Sequence, residues 1–293
     1  MGKTKVVMLG TGTPDPDPKR SGPCVAVVVD DTSYLIDFGV NVVRQANAAF
    51  KNGIKALAPK KLNIAFLTHN HSDHTLGYAD LIITPWVVGR KEPLKVIGPK
   101  GIGEITTYLL KAYESDIIER VDGFMQADPK GVEVQVTEIE EPGVIYQDEL
   151  VKVEAIQVQH IGHSYAFKFT TEDKSIVISG DKAPCNALLE FAKDCDILIH
   201  EVYPTKNLES RPLVWKNYHS SMHTSSRDVG LVANTVNAKK VVLYHPVYLM
   251  GMDAHKLGNI EDIKVDLENY MIEDVKENYS GEVIFANDLD VIE

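Results

Sequence analysis

The chain of 293 residues is short of cysteine, of tryptophan and of positive charge. Its three cysteines, Cys24, Cys185 and Cys195, are scattered and form no CxxC pair, which argues against a disulfide framework and suits a reducing cytosol. Lys and Arg number 30 against 42 Asp and Glu, a net charge of −12. A general electrostatic grip on nucleic acid needs the opposite balance, so nucleic acid is not expected as a partner. No apolar run reaches the length of a membrane span, and "MGKTKVVMLG" passes straight into a strand pattern without signal-peptide features. A cytoplasmic protein with no membrane partner is expected. Short-period repeats, low-complexity tracts and clear linkers are also missing. "GTGTPD", from Gly10, has neither GxGxxG nor Walker spacing, so no nucleotide cofactor is expected there.

What remains, 44% hydrophobic and 25% charged residues, is the composition of a globular protein with a substantial core. "TKVVMLG", "CVAVVVD", "SYLIDFG", "NIAFLT" and "PLKVIGP" read as strands bounded by Gly, Pro and Asp turns. A helix is predicted over residues 40–52, with Val40, Val43, Ala46 and Phe50 on one face. Others are predicted from near Thr75 to before Pro85 and over 103–113. The second half repeats the texture. Strands are predicted at "VEVQVTE", "LVKVEAIQV", "YAFKFT", "SIVISGD", "DILIHE" and "KVVLYHP", and helices at "CNALLEFAKD", "RDVGLVANTVNA" and about 261–277. Strands followed by helices in each half point to a layered α/β fold. The economical reading is one domain, 1–293, built from two similar halves.

The chemistry gathers in "LTHNHSDHTLG", residues 67–77, where His69, His71, Asp73 and His74 follow an apolar strand. Alternation along an extended chain sends His69 and His71 to the same side, so both can point at one ion. Asp73 and His74 follow as the chain turns and can serve a neighbouring ion. Imidazole and carboxylate donors without thiolate suit zinc, with manganese and iron as alternatives. Four ligands are too few for two ions. Further candidates stand near other strand ends: His160 and His163, Asp181, His200 and Glu201, His219 and His223, and His245. A lone histidine is more often a core or surface group than a ligand, and Asp181 after Gly180 fits a turn residue. Their shared placement beyond strand ends, where α/β sheets bind ligands, sets them apart.

The order "HNHSDH", a distant His, "SGD", and a last His after a strand resembles the metallo-β-lactamase superfamily over nearly the whole chain. The resemblance implies a four-layer αββα sandwich of two mixed β-sheets flanked by helices, with a dinuclear metal site. It assigns His69, His71 and His160 to one ion, Asp73, His74 and His245 to the other, and Asp181 between them. "LIHEVYP" and "HTSSRDVGLVA" resemble the branch of ribonuclease Z and arylsulfatase-like hydrolases, in which Glu201 and His223 assist proton transfer. His219 competes with His223 for that role, and "TSSRDVG" favours His223. The aromatic Phe167, seven residues on as in the family's pattern, makes the resemblance favour His160 over His163. Asp37 reads equally as a group orienting ligand histidines and as a turn carboxylate. His163, His200 and His255 read as structural or surface groups.

Two divalent ions would lower the pKa of a bridging water and deliver hydroxide to an ester, with Asp73 also orienting the nucleophile. The expected activity is hydrolysis of a small phosphodiester or aryl sulfate ester. Lactone or carboxylic ester hydrolysis, tRNA 3′-processing and a non-catalytic metal-binding role are the alternatives. Ribonuclease Z enzymes carry a basic, glycine-rich arm, whereas residues 101–150 here are acidic, which weighs against tRNA. Specificity is expected in loops 14–23, 85–92 and 203–218, where Trp86, Tyr203 and Trp215 can line a pocket. The resemblance also implies a homodimer.

Overall fold

The computed structural model describes residues 3–250, 256 and 258–293, so His255 lies outside the described residues. The backbone divides into two compact units, one running up to Ile145 and taking in Asn287–Glu293, the other spanning Tyr146–Ala286.

The first unit opens with β1 (Thr4–Gly10), β2 (Cys24–Val29) and β3 (Thr32–Ile36), then α1 (Val42–Lys51) and β4 (Ile64–Phe66). Two helices follow, α2 (Ser72–Thr75) and α3 (Tyr78–Val87), then β5 (Leu94–Gly98), α4 (Ile102–Ala112), α5 (Glu114–Asp122) and β6 (Val134–Glu138). With the terminal strand Val291–Ile292 they form a seven-stranded sheet, in which β1, β2 and β3 are antiparallel and β3 to β6 parallel. Every residue of β2 is buried, as a continuous β-branched run predicts for a strand covered on both faces. Val7, Leu9, Ala26, Val28 and Leu35 of the sheet share one core with Val42, Val43, Ala46 and Ala49 of α1.

That helical face differs from the predicted one. Asn41, at φ 75°, turns the chain just before α1, so the inward stripe is counted from Val42. Val40 and Phe50 are 45% and 39% exposed. A second difference concerns α3, which does not stop before Pro85 but contains it. Proline has no N–H to give the carbonyl four residues back, Leu81 O. Arg90 supplies the missing donor: Nη1 donates to Leu81 O at 2.9 Å and Nη2 to Ile82 O at 2.7 Å. The same guanidinium donates to Leu62 O at 3.1 Å and to Gly131 O at 3.1 and 3.2 Å. Its surroundings lower its pKa to about 10, chiefly by burial, which leaves it charged at neutral pH. Arg90 thus ties together α3, the approach to β4 and the approach to β6.

The second unit is built on another seven-stranded mixed sheet. The chain enters it through β7 (Gly143–Gln147) and continues through β8 (Lys152–Val158), β9 (Ser164–Thr170), β10 (Ser175–Ile178), α6 (Asn186–Phe191) and β11 (Ile197–Val202). After α7 (Thr205–Leu208), α8 (Leu213–Met222) and α9 (Ser226–Thr235) come β12 (Lys240–Pro246), α10 (Ile260–Lys276) and β13 (Glu282–Phe285). Strands β8, β9 and β10 are antiparallel and β10 to β13 parallel. The core of this unit joins Val177, Leu198 and Val241 of the sheet to Val229 and Ala233 of α9 and to Met271 and Val275 of α10. Residues 213–218, expected as loop, belong to α8. Its Leu213, Val214 and Trp215 are all exposed, so no inward-facing stripe announced the helix. Among the described residues, no helix is long and apolar enough to cross a membrane.

Replacing Arg90 with Met strands several buried carbonyls, each costing about 1–3 kcal/mol. Chemical denaturation should show a loss on the order of 3 kcal/mol or more. A loss under about 0.5 kcal/mol, the range of an ordinary surface change, would contradict the role given to the guanidinium.

Candidate metal centre and proton-transfer pair

In the first unit the ends of β3 and β4 deliver the candidate ligand residues. Asp37, directly after β3, is buried and held at φ 62°, a conformation that short polar side chains tolerate better than most. Its carboxylate accepts from Thr68 N at 2.8 Å, from Thr68 Oγ1 at 2.9 Å and from His74 Nδ1 at 2.8 Å. It is therefore an orienting group and not merely a turn residue. The backbone here is tightly apposed: a Cβ on Gly77 would meet Gly39 O at 2.1 Å, so the turn after α2 closes against the chain following β3 only with glycine.

Hydrogen-bond arithmetic fixes the ring tautomers. A carboxylate only accepts, so His74 Nδ1 carries the proton and Nε2 the lone pair. Nε2 lies 3.5 Å from Asp73 Oδ2. Thr68 Oγ1 gives its one proton to Asp37 and so accepts from His69 Nδ1 at 3.0 Å. His69 Nε2 then presents a lone pair, 3.0 Å from His71 Nδ1. Two nitrogens bound to one tetrahedral ion at about 2.0–2.1 Å would stand about 3.4 Å apart, so this spacing suits a shared ion.

The second unit shows the same logic. His160 Nδ1 donates to Met222 O at 2.8 Å, leaving the Nε2 lone pair 4.0 Å from Asp181 Oδ2. Burial pushes the His160 pKa down and keeps the ring neutral, as a ligand must be. Asp181 follows Ser179 and Gly180, the latter at φ 58°, which turns the chain sharply after β10. His245 Nδ1 lies 3.6 Å from Asp181 Oδ1. A bulge positions His245: Glu201 pairs with Tyr244 and Val202 with Pro246, so one extra residue is thrown out of register. His245 takes φ 47° there.

Beside this group stands the carboxylate–imidazole pair. Glu201, wholly buried on β11, receives His223 Nδ1 at 3.2 Å on Oε2 and Thr224 N at 2.7 Å on Oε1. His223 precedes α9, whose start is held by Ser225 Oγ accepting from Asp228 N at 3.1 Å. It is thus His223, not His219, that pairs with Glu201. His219 Nδ1 has no hydrogen-bond partner among the described residues. His163 is exposed. His200 is fully buried, with Nδ1 donating to Glu201 O at 2.7 Å.

Sequence reasoning missed three contributors. Thr68 and Thr224 set the tautomer of His69 and the placement of Glu201, but a threonine carries no visible signal of either. Lys182 is fully buried beside Asp181, and its Nζ has no hydrogen-bond partner among the described residues. Burial pushes its pKa down. A lysine in "SGDKAP" reads as a surface residue unless the fold is known.

Comparison with known proteins bears on all of this. The family model described as a β-lactamase superfamily domain matches residues 32–246. The chain belongs to the metallo-β-lactamase superfamily. Ribonuclease Z of Mycobacterium bovis (strain BCG / Pasteur 1173P2) is 30% identical over 253 residues, covering 84% of this chain and 87% of the relative. Two solved structures share the fold. The metallo-β-lactamase fold protein YhfI from Bacillus subtilis has a TM-score of 0.71 at 18% identity, covering 98% of both chains. The short form of human tRNase Z has a TM-score of 0.66 at 19% identity, covering 99% of this chain and 98% of that one. Two mixed sheets flanked by helices are thus the superfamily's fold, as its resemblance implied.

One expectation is overturned. Nucleic acid had been set aside on net charge, yet a ribonuclease matches over most of the chain. The physical error lies in treating −12 as a property of the whole surface. A site that binds one phosphodiester through metal ions needs local cations, and the global balance says little about it. Ribonuclease names stand on the Mycobacterium bovis relative and the human structure, and none of the three proteins bears an arylsulfatase name.

His200 gives a test in pH. Burial, followed by the charge of Lys182, holds its pKa down at about 3, whereas an unfolded histidine titrates near ~6.5. Between these values the unfolded state binds more protons, so stability falls as pH falls from about 6.5 towards 3. His200→Asn removes that titration and should flatten the acid side of a denaturation-midpoint profile. Identical profiles would show that His200 is not buried neutral.

Proposed function

We propose that this protein is a dinuclear metal-dependent phosphodiesterase of the ribonuclease Z type, cleaving RNA. The observation that carries the reading is the buried Glu201–His223 pair, held by Thr224 N, in a chain whose family match spans both ligand clusters. The relatives' ribonuclease name supports RNA over other phosphodiesters.

In this reading His69, His71 and His160 hold one ion, Asp73, His74 and His245 the other, and Asp181 serves both. Zinc suits the imidazole-rich donor set best, and manganese or iron would be accepted. When bound, such ions supply an acidified water and neutralise charge on the phosphate. Every other step belongs to the chain. Asp37 and Met222 O, by accepting the Nδ1 protons of His74 and His160, keep both Nε2 lone pairs available for coordination. Asp73 orients the attacking water through its second oxygen. Glu201 accepts the Nδ1 proton of His223 and stabilises the imidazolium, whose second proton, on Nε2, is the one delivered to the departing ribose oxygen.

A small phosphodiester is the second reading. Residues 101–150 hold α4, α5, β6 and β7, and α5 carries Glu114, Asp116, Glu119 and Asp122. The acidic character of this stretch suits short substrates.

Purified protein incubated with a precursor tRNA bearing a 3′ trailer, and separately with bis-p-nitrophenyl phosphate, separates the two. Cleavage at the trailer supports the ribonuclease, whereas turnover of the nitrophenyl ester alone supports the small-ester enzyme. Neither, in protein carrying about two metals per chain, would refute both. His69→Ala and Asp181→Ala should abolish hydrolysis and lower metal content by elemental analysis. Asp37→Asn cannot accept from both Thr68 and His74 as the carboxylate does, so competition against a chelator should show a ~10–100-fold weaker metal affinity. Unchanged affinity would remove Asp37 from the ligand support.

A further inference from the structure

Helix α8 exposes an aromatic surface that the reading above leaves without a task. Trp215 is 51% and Tyr218 39% exposed, flanked by Leu213 and Val214 at 72% and 69%. Contiguous apolar surface of this kind on a soluble protein marks a binding site more often than chance. The rings form a connected series. Trp215 stacks on His219 at 5.9 Å with 26° between planes, and Tyr218 meets both edge-on at 5.9 and 5.2 Å. His219 lies 6.0 Å and Tyr218 6.4 Å from His223, the imidazole paired with Glu201.

Two polar groups accompany the rings. His219 Nδ1 is buried without a hydrogen-bond partner among the described residues. Burial, then the neighbouring His223 and Arg211, lower its pKa to about 4, so at neutral pH the ring can both donate and accept. Arg211, just ahead of α8, gives Nη2 to Met250 O at 2.9 Å, while its buried Nε has no hydrogen-bond partner among the described residues.

We infer that Trp215, Tyr218 and His219, with Arg211 beside them, form a subsite for a nucleobase of the nucleotide next to the cleaved phosphodiester. The inference rests on the phosphodiesterase reading and adds to it the group recognised beyond the phosphate. Stacking on an aromatic face accepts any base, because each base has a π-face. The half-buried imidazole can meet the polar edge of a base through Nε2, the nitrogen not enclosed with Nδ1, and the Arg211 guanidinium can meet a phosphate oxygen through Nη1. A protein partner would also favour exposed aromatics. The unbroken run of rings to His223 argues instead for an occupant continuous with the reacting group.

Fluorescence tests this directly, because the chain has two tryptophans and Trp86 is buried at 3% exposure. Adenosine 5′-monophosphate, titrated into the metal-loaded full-length protein, should quench the indole emission. Ribose 5-phosphate, which has the phosphate and no base, should not. Trp215→Ala should abolish the quenching while Trp86→Phe keeps it. A kinetic arm uses a short RNA and its counterpart abasic at the flanking nucleotide. The wild type should show a KM lower by about tenfold or more for the base-bearing RNA. In Trp215→Ala that ratio should fall to near one, and Trp215→Phe should restore it. Equal quenching by ribose 5-phosphate, or none by either ligand, would overturn the subsite. Trp215-dependent quenching in a protein that cleaves no RNA would leave the base subsite standing and refute the ribonuclease instead.

Discussion

One buried carboxylate organises the first ligand cluster. Asp37 sits at the end of β3, yet its oxygens are spent on Thr68, beyond β4, and on His74, in α2. Three separate stretches of chain thus converge on a single charge. Such a group is tolerable inside a protein only when its lone pairs are occupied, and here each oxygen has a donor. The consequence passes outward through the rings. The proton on His74 Nδ1 faces Asp37, and the proton on His69 Nδ1 faces the threonine that Asp37 has already engaged. Both histidines are left with a bare Nε2, as coordination requires.

The second unit solves the same problem with backbone. Met222 O takes the Nδ1 proton of His160, and Thr224 N, two residues further on, fixes Glu201. One short stretch, from the last residue of α8 to Thr224, therefore supports both the candidate ligand His160 and the Glu201–His223 pair. His223 lies between these two contacts, so its own position follows from theirs. The Ser225 cap keeps this stretch from joining the helix that follows it.

Much of this was legible in the amino-acid sequence, for identifiable reasons. The β-branched runs of β1, β2 and β12 announce strands because their burial is continuous. His69, His71, Asp73 and His74 stand out because so many donors seldom crowd one turn. The resemblance, not periodicity, singled out Glu201 and His223. What escaped notice depends on contacts distant in sequence. Thr68 matters only because Asp37 is beside it in space, and Lys182 looks like a surface lysine until β10 and β11 enclose it. Helix α8 carries no inward apolar stripe to reveal it, because its large apolar residues face outward. The charge argument failed differently: a sum over 293 residues cannot describe the few that meet a substrate.

The bond from Arg90 Nη1 to Leu81 O has an evolutionary side. Proline at 85 creates a vacancy in the helix ladder, and a side chain five residues later occupies it. Arg90 cannot drift while proline stands at 85 without exposing the defect that it conceals. Arg90 is further restrained by Gly131, where a Cβ would strike Arg90 O at 2.1 Å. Arg90 and Gly131 should therefore stay fixed in lineages that keep proline at 85.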